Sequence, residues 1–327
     1  MGGLWPKGRM SLSSTTDEIQ IRPFSWDDVA LLVDVMHRAG SHPFEYAENP
    51  LETFKLSLET PRLEPTRDIL VADSGSRLEG WVRVDIEPGT SRAIVGLGVD
   101  PDLDAVAIRP RLLRMARDLA IECGMNTLHV PVDGADNAVR MTVGSIGMHA
   151  VRVYHDMEYH PAPAYLGGNH RPVPDEYSVR TMVDSDEDNE RLMNIQNAAF
   201  MGSWGYEVNT IPDIEASLRL PGQGSEWVKM VDSAAGETAG YIWTKFEPSD
   251  GMSIGYVGMV GVHPEHRRRG LGSVITAAGV KLLRDAGAGA IKLEVDRENK
   301  AARRVYRDLG FSRNGKTTWY ELELSAD

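Results

Sequence analysis

Two hydrophobic periods alternate along the second half of the chain. Ile254 to Val262 alternates at a period of two and turns at His263-Pro264, which predicts a strand. Leu271, Val274, Ile275, Ala278 and Leu282 recur at helical spacing, and Gly287 stops that helix. Ile291 to Val295 predicts a strand. Ala302, Val305, Tyr306 and Leu309 predict a helix ended by Gly310, and a last strand follows near Thr318 to Leu324. Ahead of these lie a strand at Tyr177 to Thr181, a helical stretch from about Ser185 to Phe200, and a strand from Trp227 to Val231. Strands and helices in this order predict an α+β (mixed α/β) fold, its mixed, mostly antiparallel sheet flanked by helices.

The first half repeats the pattern. Ile19 to Pro23, a helical stretch from about Trp26 to Ala39, and Ile69 to Ala72 before an acid-Gly turn match the opening of the second half. Further on, Val99 to Ala116 aligns without a gap over Val262 to Gly279, an offset of 163. Asp133 then lies over Asp296, and Gly147-Met148 over Gly310-Phe311. We read this as an internal duplication. The copies span 18–160 and 177–327. Between them the Pro- and Gly-rich stretch 161–176 reads as a linker, and 1–17 as a flexible leader. The expected assembly is a monomer containing an internal pseudo-dimer.

Composition narrows the function classes. The chain has 327 residues and a formal net charge of -13, which disfavours nucleic acid or an anionic membrane as the main partner. No stretch approaches the roughly 18 apolar residues of a membrane span. The one cysteine, Cys123, permits no intramolecular disulfide, and a cytoplasmic location is expected. Cys123 reads as a structural thiol. His263 and His266 lack the acidic or thiol companions of a zinc site, so no metal is expected.

The basic exception is Arg267-Arg268-Arg269-Gly270-Leu271-Gly272-Ser273, between a strand and a helix. Two glycines let the backbone curl, so that amide N–H groups and the helix dipole converge on one point. The natural guest is a diphosphate, and the plain alternative is a solvated basic turn. No G-x-x-x-x-G-K-[ST] loop is present. A Rossmann reading of Gly270-Leu271-Gly272 finds Ile275 at the third glycine position and too long a path from the strand.

These residues resemble the GCN5-related N-acetyltransferases. That family's [RQ]-x-x-G-x-[GA] motif follows a strand ending in V-x-P, here Val262-His263-Pro264 and then Arg267 to Gly272. Its N-x-x-A-x-x-x-Y motif followed by G-F reads here as Asn299, Ala302, Tyr306, Gly310 and Phe311. The resemblance covers about 177–324, and the tandem layout resembles that of the mycothiol synthases. It implies two GNAT-like domains and acetyl-CoA as co-substrate. It places the pyrophosphate on the amides of Arg269 to Ser273, and the pantetheine arm on the strand edge with Val260 and Val262 and near Asn299 and Ala302. It makes Tyr306 the acid that protonates the departing thiolate, which suits a phenol of pKa near 10. A small amine or an amino terminus would attack the thioester directly.

Plainer readings stay open at several positions. Asn299 suits a helix N-cap, and Tyr306 lies on an apolar helix face. The strand IGYVGMVGV carries no carboxylate, so Glu294 on the next strand is the candidate base, with a solvated carboxylate as its alternative. Trp204, Tyr206 and Tyr256 are candidates for the acceptor pocket. Trp204 and Tyr206 serve equally as packing anchors, an ambiguity shared by Trp319 and Tyr320. Opposite Arg267, Gly270, Gly272 and Ser273 the first copy has Asp104, Ala107, Arg109 and Pro110, and opposite Asn299 and Tyr306 it has Asp136 and Val143. The first copy is therefore expected to keep the fold without the chemistry, and to buttress the second or complete its acceptor cleft. The remaining alternatives are a non-catalytic acyl-CoA sensor and a dinucleotide-binding oxidoreductase.

Overall fold

The computed structural model describes residues 19–102, 105–160 and 172–324. The expected leader, most of the linker and Asp104 lie outside the described residues. The first copy runs β1 (Gln20–Pro23), α1 (Val29–Arg38), α2 (Pro50–Leu58), α3 (Pro65–Asp68), β2 (Ile69–Asp73), β3 (Leu78–Glu87), β4 (Arg92–Val99), α4 (Ala105–Glu122), β5 (Thr127–Asp133), α5 (Asn137–Ser145) and β6 (His149–Tyr159). The second runs β7 (Tyr177–Thr181), α6 (Asp186–Phe200), α7 (Ile211–Leu218), β8 (Val228–Ser233), β9 (Thr238–Glu247), β10 (Ile254–Val262), α8 (Leu271–Asp285), β11 (Ala290–Asp296), α9 (Lys300–Asp308) and β12 (Ser312–Glu323). The last strand begins at Ser312 rather than near Thr318. Its polar opening residues carry no apolar alternation, yet they pair with β6 across a register shift at Arg313/Gly315.

The twelve strands form one sheet, ordered β1-β2-β3-β4-β5-β12-β6-β11-β10-β9-β8-β7. All pairs are antiparallel except β4 with β5 and β10 with β11. The final strands have changed places. β12 pairs with β5 of the first copy, β6 pairs with β11 of the second, and the two pair with each other. Tyr154 faces Thr317, its counterpart at the offset of 163, so the pseudo-two-fold axis passes between them. The copies are thus contiguous in sequence but interlocked through their sheet.

Helices cover both faces. On one face α4 and α5 pack Ile108, Leu112, Val139 and Val143 onto Leu128 and Val130, and α8 and α9 pack Leu271, Ile275, Tyr306 and Leu309 onto Ile291, Leu293 and Val295. On the other, α1 buries Leu32 and Val35 in the first copy, and α6 buries Leu192 and Ile195 in the second. Each copy opens with the same polar clamp. Arg22 reaches Asp28 through its terminal nitrogens and Asp73 through Nε at 2.9 Å. Arg180 likewise reaches Asp188, and Asp232 through Nε at 2.5 Å. The clamps match across IRP and VRT, the residues at which the sequence copies begin.

Candidate active site

β10 and β11 are hydrogen-bonded only from Ile254–Ala290 to Tyr256–Lys292. Beyond Tyr256 the two strands part. On its other side β10 stays paired with β9 to Val262, with a register shift at Val257/Met259 that makes Gly258 the extra residue of a β-bulge. From Val257 to Val262, the side of β10 that faces the gap therefore has no strand partner among the described residues, and Val260 and Val262 lie on this stretch. Such an edge offers backbone donors and acceptors to an extended ligand.

The end of β10 leads through a short 3-10 turn (Pro264–His266) to the start of α8. Arg268 and Gly270 both take left-handed backbone conformations, at φ 66° and 87°. A side chain at Gly272 would meet nothing within 4 Å, so the approach to the first turn of α8 is open there. The amides of Leu271 and Gly272 have no acceptor among the described residues, whereas Ser273 donates to the Gly270 carbonyl at 3.1 Å, and this end of α8 carries the positive end of its dipole. Two of the three arginines brace this turn. Arg267 donates to the carbonyls of Val262 at 3.2 Å and Ala199 at 2.8 Å, so its guanidinium braces the turn against β10 and α6. Arg269 donates to the Glu265 carbonyl at 3.5 Å.

Asn299 caps α9, its Oδ1 accepting from the Ala302 amide at 3.0 Å. One helical stretch later, Tyr306 is buried against Phe311, ring centroids 5.9 Å apart. Burial pushes its phenol up to about 12. A phenol with that pKa stays protonated at neutral pH and remains a proton donor.

The gap opens onto a cleft of about 1100 Å³ lined by Tyr256, Val257, Gly258, Lys292, Glu294 and the start of β12. Asp133 and Asp156 also line it, and both belong to the first copy. Glu294 makes no ion pair or hydrogen bond among the described residues; its side chain is exposed within the open cleft, and its carboxyl is pushed up first by the desolvating cleft walls and then by Asp156 and Asp133. Tyr256 sits at the junction, its phenol pushed up to about 12 by burial and then by Glu247. Lys245 lies 5.7 Å from the Tyr256 ring, and 5.7 and 5.5 Å from the rings of Phe44 and Tyr46 of the first copy.

Two expected acceptor residues lie elsewhere. Trp204 stands over the first copy, 5.3 Å from both His129 and Trp319 and 5.5 Å from the Arg92 guanidinium. It does not line the cleft, because the loop after α6 crosses to the other copy, as the Phe44–Tyr46 loop crosses in return. Tyr206 stacks on Phe200 at 5.4 Å and donates to Asn197 Oδ1 at 2.8 Å, a packing anchor of its own copy. Asp156, Tyr46 and Lys245 were not singled out from sequence. The signal available for Tyr46 was its loop, which follows α1 as the Trp204 loop follows α6.

Among the described residues no group of three or more His, Cys, Asp or Glu is placed to hold a metal, and no helix is long and apolar enough to cross a membrane. His266 is engaged with the Tyr177 hydroxyl at 2.9 Å.

Comparison with known proteins agrees with this arrangement. The profile of the acetyltransferase (GNAT) family matches residues 189–311. Mycothiol acetyltransferase of Paenarthrobacter aurescens (strain TC1) is 31% identical over 234 residues, 71% of each chain. Its namesake in Pseudarthrobacter chlorophenolicus is 30% identical over 242 residues, 73% of each. Among solved structures, a tandem GNAT protein from the clavulanic acid biosynthesis pathway superposes with a TM-score of 0.72 at 20% identity, covering 94% of this chain and 99% of that one. A GCN5-related N-acetyltransferase from Sphaerobacter thermophilus gives 0.68 at 15%, covering 95% and 97%.

Proposed function

The chain belongs to the acetyltransferase (GNAT) family and is an acyltransferase; on that premise we propose that it moves the acetyl group of acetyl-CoA to a primary amine of a small molecule or amino terminus. The observation that carries this reading is the parting of β10 and β11 beyond Tyr256, flanked by the open start of α8, with Tyr306 on the helix-covered face and Glu294 in the cleft. In this reading the amides from Arg269 to Ser273 receive the pyrophosphate, and Arg268 adds positive charge beside them. The free edge of β10, with Val260 and Val262, binds the pantetheine arm, and Asn299 and Ala302 fix the helix that carries Tyr306.

The amine enters from the cleft beside Tyr256. The C–N bond forms at the thioester carbon, the C–S bond breaks, and the departing sulfur takes a proton from Tyr306. Holding amine and thioester in one gap supplies much of the rate. One copy does the chemistry, the other supplies walls, and the protein works as a monomer in the cytoplasm.

The test is calorimetric titration with acetyl-CoA and with NADH, followed by thiol release over a panel of amines. The relatives' name ties their acetyl transfer to mycothiol, so a mycothiol-related amine belongs in the panel. Acetyl-CoA binding with amine-dependent thiol release supports the proposal. Binding of NADH alone overturns it, and acetyl-CoA binding without thiol release for any amine favours a sensor.

A further inference from the structure

We infer that Asp156, a residue of the first copy, sets the proton affinity of Glu294, so that the base serving the second copy is a carboxylate pair to which both copies contribute. This rests on the amine-acetyltransferase reading above and deepens it.

The geometry comes from the exchanged strand. β6 lies beside β11 with Asp156 directly opposite Glu294. Directly opposite side chains of an antiparallel pair project to the same face, with Cβ atoms roughly 5 Å apart, and like charges so placed repel. Both carboxyls line the cleft. Asp156 accepts one hydrogen bond, from Thr317 Oγ1 at 3.3 Å, and Glu294 accepts none among the described residues. Two carboxylates in this position hold a proton more tightly than either alone.

The charges around Glu294 leave the effect standing. Asp133, at the end of β5, adds repulsion after Asp156. On its own strand Asp296 is bound to Arg152; Lys292 and Lys316 are cations lining the same cleft, and the acids outweigh them at Glu294. Arg313 acts on Asp156 rather than on Glu294. The Glu294 carboxyl, exposed to the open cleft, rises first through desolvation by the cleft walls and then through Asp156. The equivalent place in the first copy holds no pair of acids. By the offset of 163, Glu294 matches Pro131 and Trp319 matches Asp156, and Pro131 and Trp319 face each other across β5 and β12.

The chemistry balances. An acceptor amine arrives as its ammonium ion and gives one proton to the carboxylate of Glu294. The free amine attacks the thioester carbon and the C–S bond breaks. Sulfur takes the Tyr306 proton, and the second amine proton restores the phenol. Glu294 returns its proton to solvent. Asp156 does not react; it is a positioning residue that raises the base toward the ammonium it must deprotonate.

The full chain labelled with ¹³C at glutamate carboxyls is titrated by NMR, with Glu294→Gln assigning the signal. Glu294 should titrate above the usual glutamate value of about 4.3. In Asp156→Asn its midpoint should fall by on the order of one pH unit. With an acceptor from the panel, the acidic limb of kcat/KM should fall by the same interval, while KM for acetyl-CoA holds. A wild-type Glu294 titrating in the ordinary range overturns the inference even if the variant fails to fold. So does a midpoint unmoved in Asp156→Asn, or a kinetic limb that stays put while the NMR midpoint shifts. If no amine releases thiol, the acetyl-transfer reading fails, while the NMR midpoints still decide whether Asp156 tunes Glu294.

Discussion

The two copies share a frame and, besides the acid pair, differ at three places on the path that acetyl-CoA would take. β10 carries a bulge at Val257/Met259, whereas β4 pairs with β3 without a shift from Gly80–Val99 to Glu87–Arg92. The second copy turns through left-handed Arg268 and Gly270 before α8 starts at Leu271. α4 already begins at Ala105, the match of Arg268, and so takes up in a helix the residues that would form the turn. Where Tyr306 stands in α9, α5 buries Val143. Meanwhile the Arg clamps, the caps and the parallel pair that parts are kept in both. β4 and β5 pair only from Arg92–Thr127 to Ile94–His129, as β10 and β11 do. The clamps and caps hold the sheet, the parted pair occurs in both copies and does not by itself make a site, and in the proposed function the three lost features are the ones that serve a ligand.

The comparison breaks most sharply at the phenol. Tyr306→Phe should lower kcat by about 100-fold with the Kd for acetyl-CoA unchanged, whereas Val143→Ala should leave kcat within about two-fold. Steady-state kinetics and titration calorimetry on both variants check this. Deleting Gly258 gives β10 the register of β4, and should weaken acetyl-CoA binding at least about tenfold while circular dichroism stays native.

The clamps sharpen the comparison from the other side. Arg22→Ala and Arg180→Ala each strand two carboxylates, and each should cost about 2 kcal/mol in urea unfolding, alike in the two copies. The Arg22 and Arg180 guanidinium groups hold Asp28 and Asp188 below the usual carboxylate range. Their contribution is therefore full above the unfolded value of about 3.9 and is lost as pH falls through the depressed folded values. The wild type should lose this stability below about pH 4, and the variants should show a flatter acid limb. The smallest effect is at the caps. Asp136 caps α5 by accepting from the Val139 amide at 2.9 Å, as Asn299 caps α9. Replacing either by Ala should cost about 1 kcal/mol, but only Asn299→Ala should also weaken acetyl-CoA binding.

Much of this was legible in the residues. Ile254–Val262 announced β10 to the residue through its alternation, and Gly270 marked the turn before α8, whose first turn contains Gly272. The duplication showed because the motif-bearing segments align without a gap. The exchange of β6 and β12 was not legible, because the two strands are copies of one another and either fits beside β5 or β11 by pattern alone. That exchange hid Asp156 from a reading that sought the base within 177–327. It also carries the loop with Trp204 over the neighbouring copy, where the side chain packs on His129 and Trp319. The bulge escaped because Gly258 keeps apolar neighbours on both sides and only pairing with β9 reveals the extra residue.

The exchanged strands impose an order on biosynthesis. When the ribosome has finished Asp133, the bare edge of β5 waits for Ser312–Glu323, which comes only after the whole of β6 to α9. At about 5–20 residues per second, that edge stays uncovered for roughly 10 to 35 s. A nascent chain in that interval exposes a template for pairing with its neighbours. A premature stop anywhere before Ser312 therefore removes the strand that covers β5 as well as the end of the second copy, and leaves β6, which fits that edge by pattern, to close it.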